Sequence, residues 1–65
     1  MSEIRIVLIE DHDVVRIGLK MTLQSDKEIR VVGEAANGLE GLKLLEMTQP
    51  DVAIIDIGLP GIDGI

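Results

Sequence analysis

A chain of 65 residues with a formal charge of −6, no cysteine and no aromatic side chain has few ways to build a fold. Disulfide staples and Cys-based metal sites are excluded, which makes a reducing cytoplasm the expected location, and the acidic balance argues against nucleic-acid contact by this segment. With 46% apolar residues the chain suits one marginal domain, since a domain this small buries only about 60% of its unfolded surface; a core of Val, Ile, Leu, Met and Ala fits a buried parallel sheet.

Glu3 and Arg5 flank the start of a short apolar run that is neither a signal peptide nor a membrane span. Residues 4–9 are rich in β-branched side chains and end abruptly in Glu10-Asp11-His12-Asp13, which reads as a buried strand. Over residues 14–24 the period changes: Val14, Ile17 and Met21 share a face with Val15, Leu19 and Leu23 beside them, a helical pattern. Asp13 stands in the N-cap position, its carboxylate able to accept orphan backbone N–H groups. Gly18 costs the helix up to ~1 kcal/mol relative to Ala, and close packing against a strand is the expected compensation. His12 reads as an ordinary exposed residue at a helix start rather than a metal ligand.

Residues 25–28 form a polar connection, and residues 29–35 a second strand, less apolar and therefore expected at a sheet edge. Asn37-Gly38 is ordinary turn and cap chemistry rather than a phosphate cradle. Leu39, Leu42 and Leu45 return at helical spacing to about Met47 and are expected to pack on the core, with part of that stripe uncovered. Pro50 ends the helix by disfavouring a helical Gln49. Residues 52–55 are entirely apolar, a third strand that belongs in the middle of its sheet, and residues 56–65 form a loop holding Gly58, Pro60, Gly61 and Gly64. Pro60-Gly61 fits a turn with Gly61 at positive φ.

Strand, helix, strand, helix, strand makes a parallel α/β sheet the economical arrangement. Right-handed crossovers allow the order 2-1-3, so the first and third strands are neighbours and their C-terminal ends form the crevice where such sheets bind ligands. Glu10, Asp11 and Asp56 then converge there. Any one of these acids alone reads as a solvated loop residue or a cap; three at adjacent strand ends point to a site. Like charges this close require protons or a cation, and all-oxygen ligands suit Mg²⁺. A carboxylate beside such an ion can act as nucleophile toward a phosphoryl group.

Two segments carry a family resemblance: Ile6-Val7-Leu8-Ile9-Glu10-Asp11-His12 and Asp56-Ile57-Gly58-Leu59-Pro60-Gly61-Ile62-Asp63-Gly64. Together they resemble bacterial response-regulator receiver domains, of flavodoxin-like fold. The stretch Val31-Val32-Gly33-Glu34-Ala35-Ala36-Asn37-Gly38 looks like the subgroup whose receivers precede a helix-turn-helix DNA-binding domain. The resemblance spans the chain and implies that Asp56 accepts phosphate from a histidine kinase. It also implies that Asp11 and Asp56 ligate Mg²⁺ directly, that Glu10 helps through water, and that the Gly58 carbonyl supplies a further ligand. Many relatives carry a longer side chain where Gly58 stands, which leaves metal binding intact and alters access to the phosphate.

The same resemblance implies a fold of five strands and five helices, of which residues 1–65 are expected to form roughly the first half. The fourth strand's hydroxyl residue and the fifth strand's lysine then lie outside it. Lys20, Thr22, Lys27, Lys43 and Thr48 are all expected away from the cleft, so signal output from this segment alone is expected to be lost. An open third-strand edge and uncovered sheet faces favour a homo-oligomer, most simply a two-fold dimer. A structural fragment without phosphoryl chemistry is the rival reading. A Mg²⁺-dependent phosphohydrolase is disfavoured, because Gly58 stands where such enzymes usually carry a second acid.

Overall fold

The computed structural model describes residues 3–56. Five elements follow in order: β1 (Ile4–Glu10), α1 (Asp13–Gln24), β2 (Ile29–Ala35), α2 (Gly38–Thr48) and β3 (Val52–Asp56). The strands form one parallel sheet in the order β2-β1-β3, the order that right-handed crossovers allow. Because the chain steps outward from β1 to β2 and then returns past β1 to β3, the two crossovers put α1 and α2 on opposite faces of the sheet.

The central strand carries the core. Residues 6–10 of β1 are all buried, because among the described residues this strand alone is paired on both sides and covered by helices. On the α2 face, Val7, Ile9 and Ala35 form a cluster on which Val32, Leu44 and Leu45 pack. The leucine stripe is therefore only partly as expected. Leu45 packs inward, but Leu39 and Leu42 are 68% and 57% exposed and Leu44 takes the inward position. The helix lies close enough to the sheet that a Cβ on Gly33 would meet Leu44 at 2.8 Å, and one on Gly41 would meet Ile9 at 2.5 Å.

Gly18 departs from expectation. Among the described residues nothing lies within 4 Å of where its Cβ would be, so no strand packs against it. The close helix–sheet approaches fall at Gly33 and Gly41 instead. The cap of α1 is also displaced by one residue. His12 is the N-cap, extended at φ −97° and ψ 115°, and Asp13 is the first helical residue with its carboxylate turned to Arg16 at 2.6 Å. The cap of α2 is regular: Asn37 Oδ1 accepts from the Glu40 N–H at 2.9 Å.

One irregularity sets which way β2 faces. Ile6 pairs with Val31 but Val7 pairs with Gly33, so Val32 is an extra residue in β2. Without this bulge Glu34 would stand opposite Ile9 and face the apolar α2 side. With it, Glu34 pairs with Leu8 and faces α1, because a one-residue shift reverses every later side chain.

β2 lies at an edge, as its composition suggests. β3, read as a central strand, pairs only with β1 among the described residues, and Ile55 is 58% exposed. At the N-terminal edge of the sheet Arg5 joins three elements. Its N–H donates to Asp51 Oδ2 at 2.8 Å, and its guanidinium donates to the carbonyls of Thr48 and Gln49 at 2.8 and 3.0 Å. Gln49 ends α2 in the left-handed region, at φ 46°, which agrees with the expectation that Pro50 keeps it out of the right-handed helix. No helix among the described residues is long and apolar enough to cross a membrane.

Candidate functional site

The register of β1 on β3 makes Glu10 and Asp56 Cα partners at the C-terminal edge of the sheet. Asp11 follows directly, where β1 gives way to the loop before α1. Glu10 ends the covered central strand and is only 1% exposed, an unusual place for a carboxylate without a partner. One of its oxygens is satisfied locally: Oε1 accepts from the His12 backbone N–H at 2.9 Å and from His12 Nδ1 at 2.8 Å. The same Nδ1 lies 3.0 Å from Asp11 Oδ1, so a proton on Nδ1 serves both acids.

The sequence alone presents His12 as an ordinary exposed residue at a helix start. Its ring is 71% exposed, yet Nδ1 is engaged, and one ligand atom from each of Glu10, Asp11 and His12 fits within 4.8 Å of the others.

The charges of the cluster are mutually adjusted. The His12 N–H and imidazole hold the Glu10 carboxyl below the usual glutamate range, against the opposing effect of burial. Hydrogen bonding to Glu10 and the negative charges of Asp11 and Glu10 raise the His12 imidazole above its ordinary value. Asp56 moves the other way. Its hydrogen bond with Glu10 and Glu10's charge raise it above the usual aspartate range, with smaller contributions from burial and Asp11. Glu10 and Asp56 thus behave as a dyad in which Glu10 keeps its charge and Asp56 retains a proton more readily.

Glu10 Oε2 is buried and has no hydrogen-bond donor among the described residues. Glu10 and Asp56 end neighbouring strands and Asp11 follows Glu10. Among the described residues, however, the group whose ligand atoms fall within 4.8 Å of one another is Glu10, Asp11 and His12, without Asp56. Gly58 and the Pro60-Gly61 turn lie outside the described residues.

A model of the response regulator receiver domain matches residues 6–65. This chain belongs to the response regulator receiver family. It is 48% identical over 61 residues to the uncharacterized transcriptional regulatory protein YhcZ of Bacillus subtilis, and 42% identical over 60 residues to the nitrate/nitrite response regulator protein NarL of Escherichia coli. These matches cover 94% and 92% of the chain but only 28% of either relative. The signal receiver domain of the putative response regulator NarL from Mycobacterium tuberculosis superposes with a TM-score of 0.86 at 38% identity, covering 98% of this chain and 52% of that one. The chain thus spans about half of a receiver domain and little more than a quarter of the regulators.

Two residues near the receiver cleft were not singled out from the sequence. Arg16 donates through Nη1 to the Glu10 carbonyl at 2.9 Å, through Nη2 to Asp13 Oδ1 at 2.6 Å and through Nε to Glu34 Oε1 at 3.2 Å. Glu34 also accepts from Lys20 at 2.7 Å, the main reason its carboxyl lies below the usual range. The Asp13–Arg16 spacing of three on a helix was the legible signal. The links to Glu10 and Glu34 needed the fold.

Proposed function

We propose that this chain is part of the phosphoacceptor receiver of a two-component transcriptional regulator, with Asp56 the residue that takes the phosphoryl group from a histidine kinase. The observation that carries this reading is the Glu10–Asp56 pairing at adjacent strand ends, where crowding raises Asp56 and leaves Glu10 Oε2 without a donor. An all-oxygen donor set with an unsatisfied buried carboxylate oxygen fits Mg²⁺. Asp11 and Asp56 would hold the ion directly, Glu10 through water, and the Gly58 carbonyl would complete the set. When bound, Mg²⁺ supplies the positive charge that lets an anionic phosphoryl donor approach an anionic site.

Asp56 must be ionised to react, so the proton favoured by the nearby Glu10 has to leave first. An Asp56 carboxylate oxygen then bonds to phosphorus as the P–N bond to the kinase imidazole breaks. The leaving nitrogen takes the bonding pair and a proton from water. Glu10, held anionic by His12, does not compete as nucleophile, because its free oxygen is buried. The chain is consumed as acceptor and turns over no substrate. Its regulator carries the signal onward in the cytoplasm through elements beyond this segment, and neither nucleic acid nor membrane is a partner of residues 1–65.

Acetyl phosphate or beryllofluoride with Mg²⁺, read by mass spectrometry or fluorine NMR, tests the reading. A Mg²⁺-dependent adduct lost in Asp56→Asn supports it, and no adduct on the wild-type chain rejects it.

A second property, homo-oligomerisation, rests on the exposed apolar surface of Val52, Ile55, Leu39, Leu42 and Met47. These residues cover β3 and the outer side of α2, and an exposed hydrophobic strand edge promotes association. Size-exclusion chromatography with light scattering is expected to show a dimer. A well-folded monomer at micromolar concentration would overturn it.

A further inference from the structure

We infer that Arg16 is a positioning residue for the acidic cleft, acting on Asp11 through the Glu10–Asp11 peptide; the inference rests on the phosphoacceptor reading above. Arg16 is the best-connected side chain near the cleft. Its side chain is only 16% exposed, and each of its three nitrogens donates to a different residue: Nη1 to the Glu10 carbonyl, Nη2 to Asp13 and Nε to Glu34. The Glu10 carbonyl belongs to the peptide plane from which Asp11 departs. Holding that oxygen restricts the peptide plane from which the Asp11 backbone and side chain depart.

The other two bonds hold the guanidinium itself. Asp13 anchors it from the first turn of its own helix, and Glu34 from the neighbouring strand. Glu34 can do so only because the extra residue Val32 turns it to the α1 face. Lys20 pairs with the second Glu34 oxygen, so Oε1 is left to Arg16. Strand β2, helix α1 and the end of β1 are thereby tied to one planar cation, the geometry that arginine provides and lysine does not. Groups outside the ligand set that hold the backbone carrying a metal-binding carboxylate orient it and tune affinity.

The test uses the 65-residue chain, Arg16→Lys, and Lys20→Met as the comparison. Arg16→Lys keeps the charge but cannot serve three acceptors in a plane. Lys20→Met removes a neighbouring ion pair to the same Glu34 without touching Glu10. Mg²⁺ titrations followed by NMR are expected to show a roughly tenfold rise in the dissociation constant for Arg16→Lys and none for Lys20→Met. A merely structural Arg16 would lower the unfolding midpoint in both variants and leave Mg²⁺ affinity unchanged, which overturns the inference, as does an equal loss in both. Should the wild-type chain take up no Mg²⁺, the phosphoacceptor reading fails separately. The metal-free resonances then decide: displacement of the Glu10 carbonyl carbon and Asp11 amide in Arg16→Lys alone supports the positioning role, and unmoved resonances reject it.

Discussion

The two edges of the sheet are built from the same kinds of residue and end in opposite electrostatic states. At the N-terminal edge one cation, Arg5, serves the carbonyls of Thr48 and Gln49, while its backbone exchanges hydrogen bonds with Asp51 in both directions. There the charges and helix-end carbonyls have partners. At the C-terminal edge Glu10 and Asp11 share one imidazole, Asp56 stands beside Glu10, and a buried oxygen of Glu10 has no donor among the described residues. The first edge stabilises the fold. The second keeps an electrostatic demand that a ligand can meet, which is why chemistry is expected there.

The largest expected effect comes from removing the acceptor. Asp56→Asn is expected to abolish the phosphoryl adduct seen by mass spectrometry. It should also stabilise the chain at neutral pH. A carboxyl raised in the folded state costs stability as pH climbs from its ordinary value, about 3.9, through the raised one, because the native state binds the extra proton. The advantage of Asp56→Asn in urea melts should therefore vanish below that window. An advantage that persists in acid would show that Glu10 and Asp56 do not repel.

At the other edge Arg5→Met is expected to cost about 1–2 kcal/mol in urea unfolding, the usual scale for losing charge-assisted hydrogen bonds to helix-end carbonyls. Adduct formation should be unchanged; a parallel loss would mean the two edges are not independent. Gln49→Gly is expected to gain about 1 kcal/mol, since it relieves a left-handed backbone next to the same carbonyls. A loss there would show that the Gln49 side chain matters.

The smallest effect belongs to His12, whose ring is largely in water. Its raised value means that its stabilisation is complete below the ordinary histidine value, about 6.5, and is lost as pH rises through the folded one. His12→Gln should therefore destabilise the chain in mild acid and become neutral in base. A pH-independent difference would remove the imidazole from the electrostatics of the cleft.

Much of this arrangement was open to reading from residue order. The apolar, β-branched runs and the helical spacing located all five elements, and right-handed crossovers allowed the order in which Glu10 and Asp56 end adjacent strands. Asn37-Gly38 and Pro50 marked the ends of α2 for reasons local to the chain. Other features were hidden because they depend on what lies opposite. Leu44 and Leu42 are equivalent in a periodic pattern until the helix is docked, and then the sheet selects Leu44. Gly18 and Gly41 are both mid-helix glycines, yet only Gly41 meets a strand residue. Asp13 is a better capping residue than His12 by type, but Arg16 draws it into the helix.

By itself, then, the order of residues determined which segments are strands and helices, the direction of every crossover, and the three acids that share an edge. Those follow from local sterics and chain chirality, which act within a few residues. Only the folded molecule decided the register break at Val32, the turn of Glu34 toward Arg16, and the unequal proton affinities of Glu10 and Asp56. Each of these is a difference between nearly balanced alternatives, and the balance is tipped by neighbours distant in the chain.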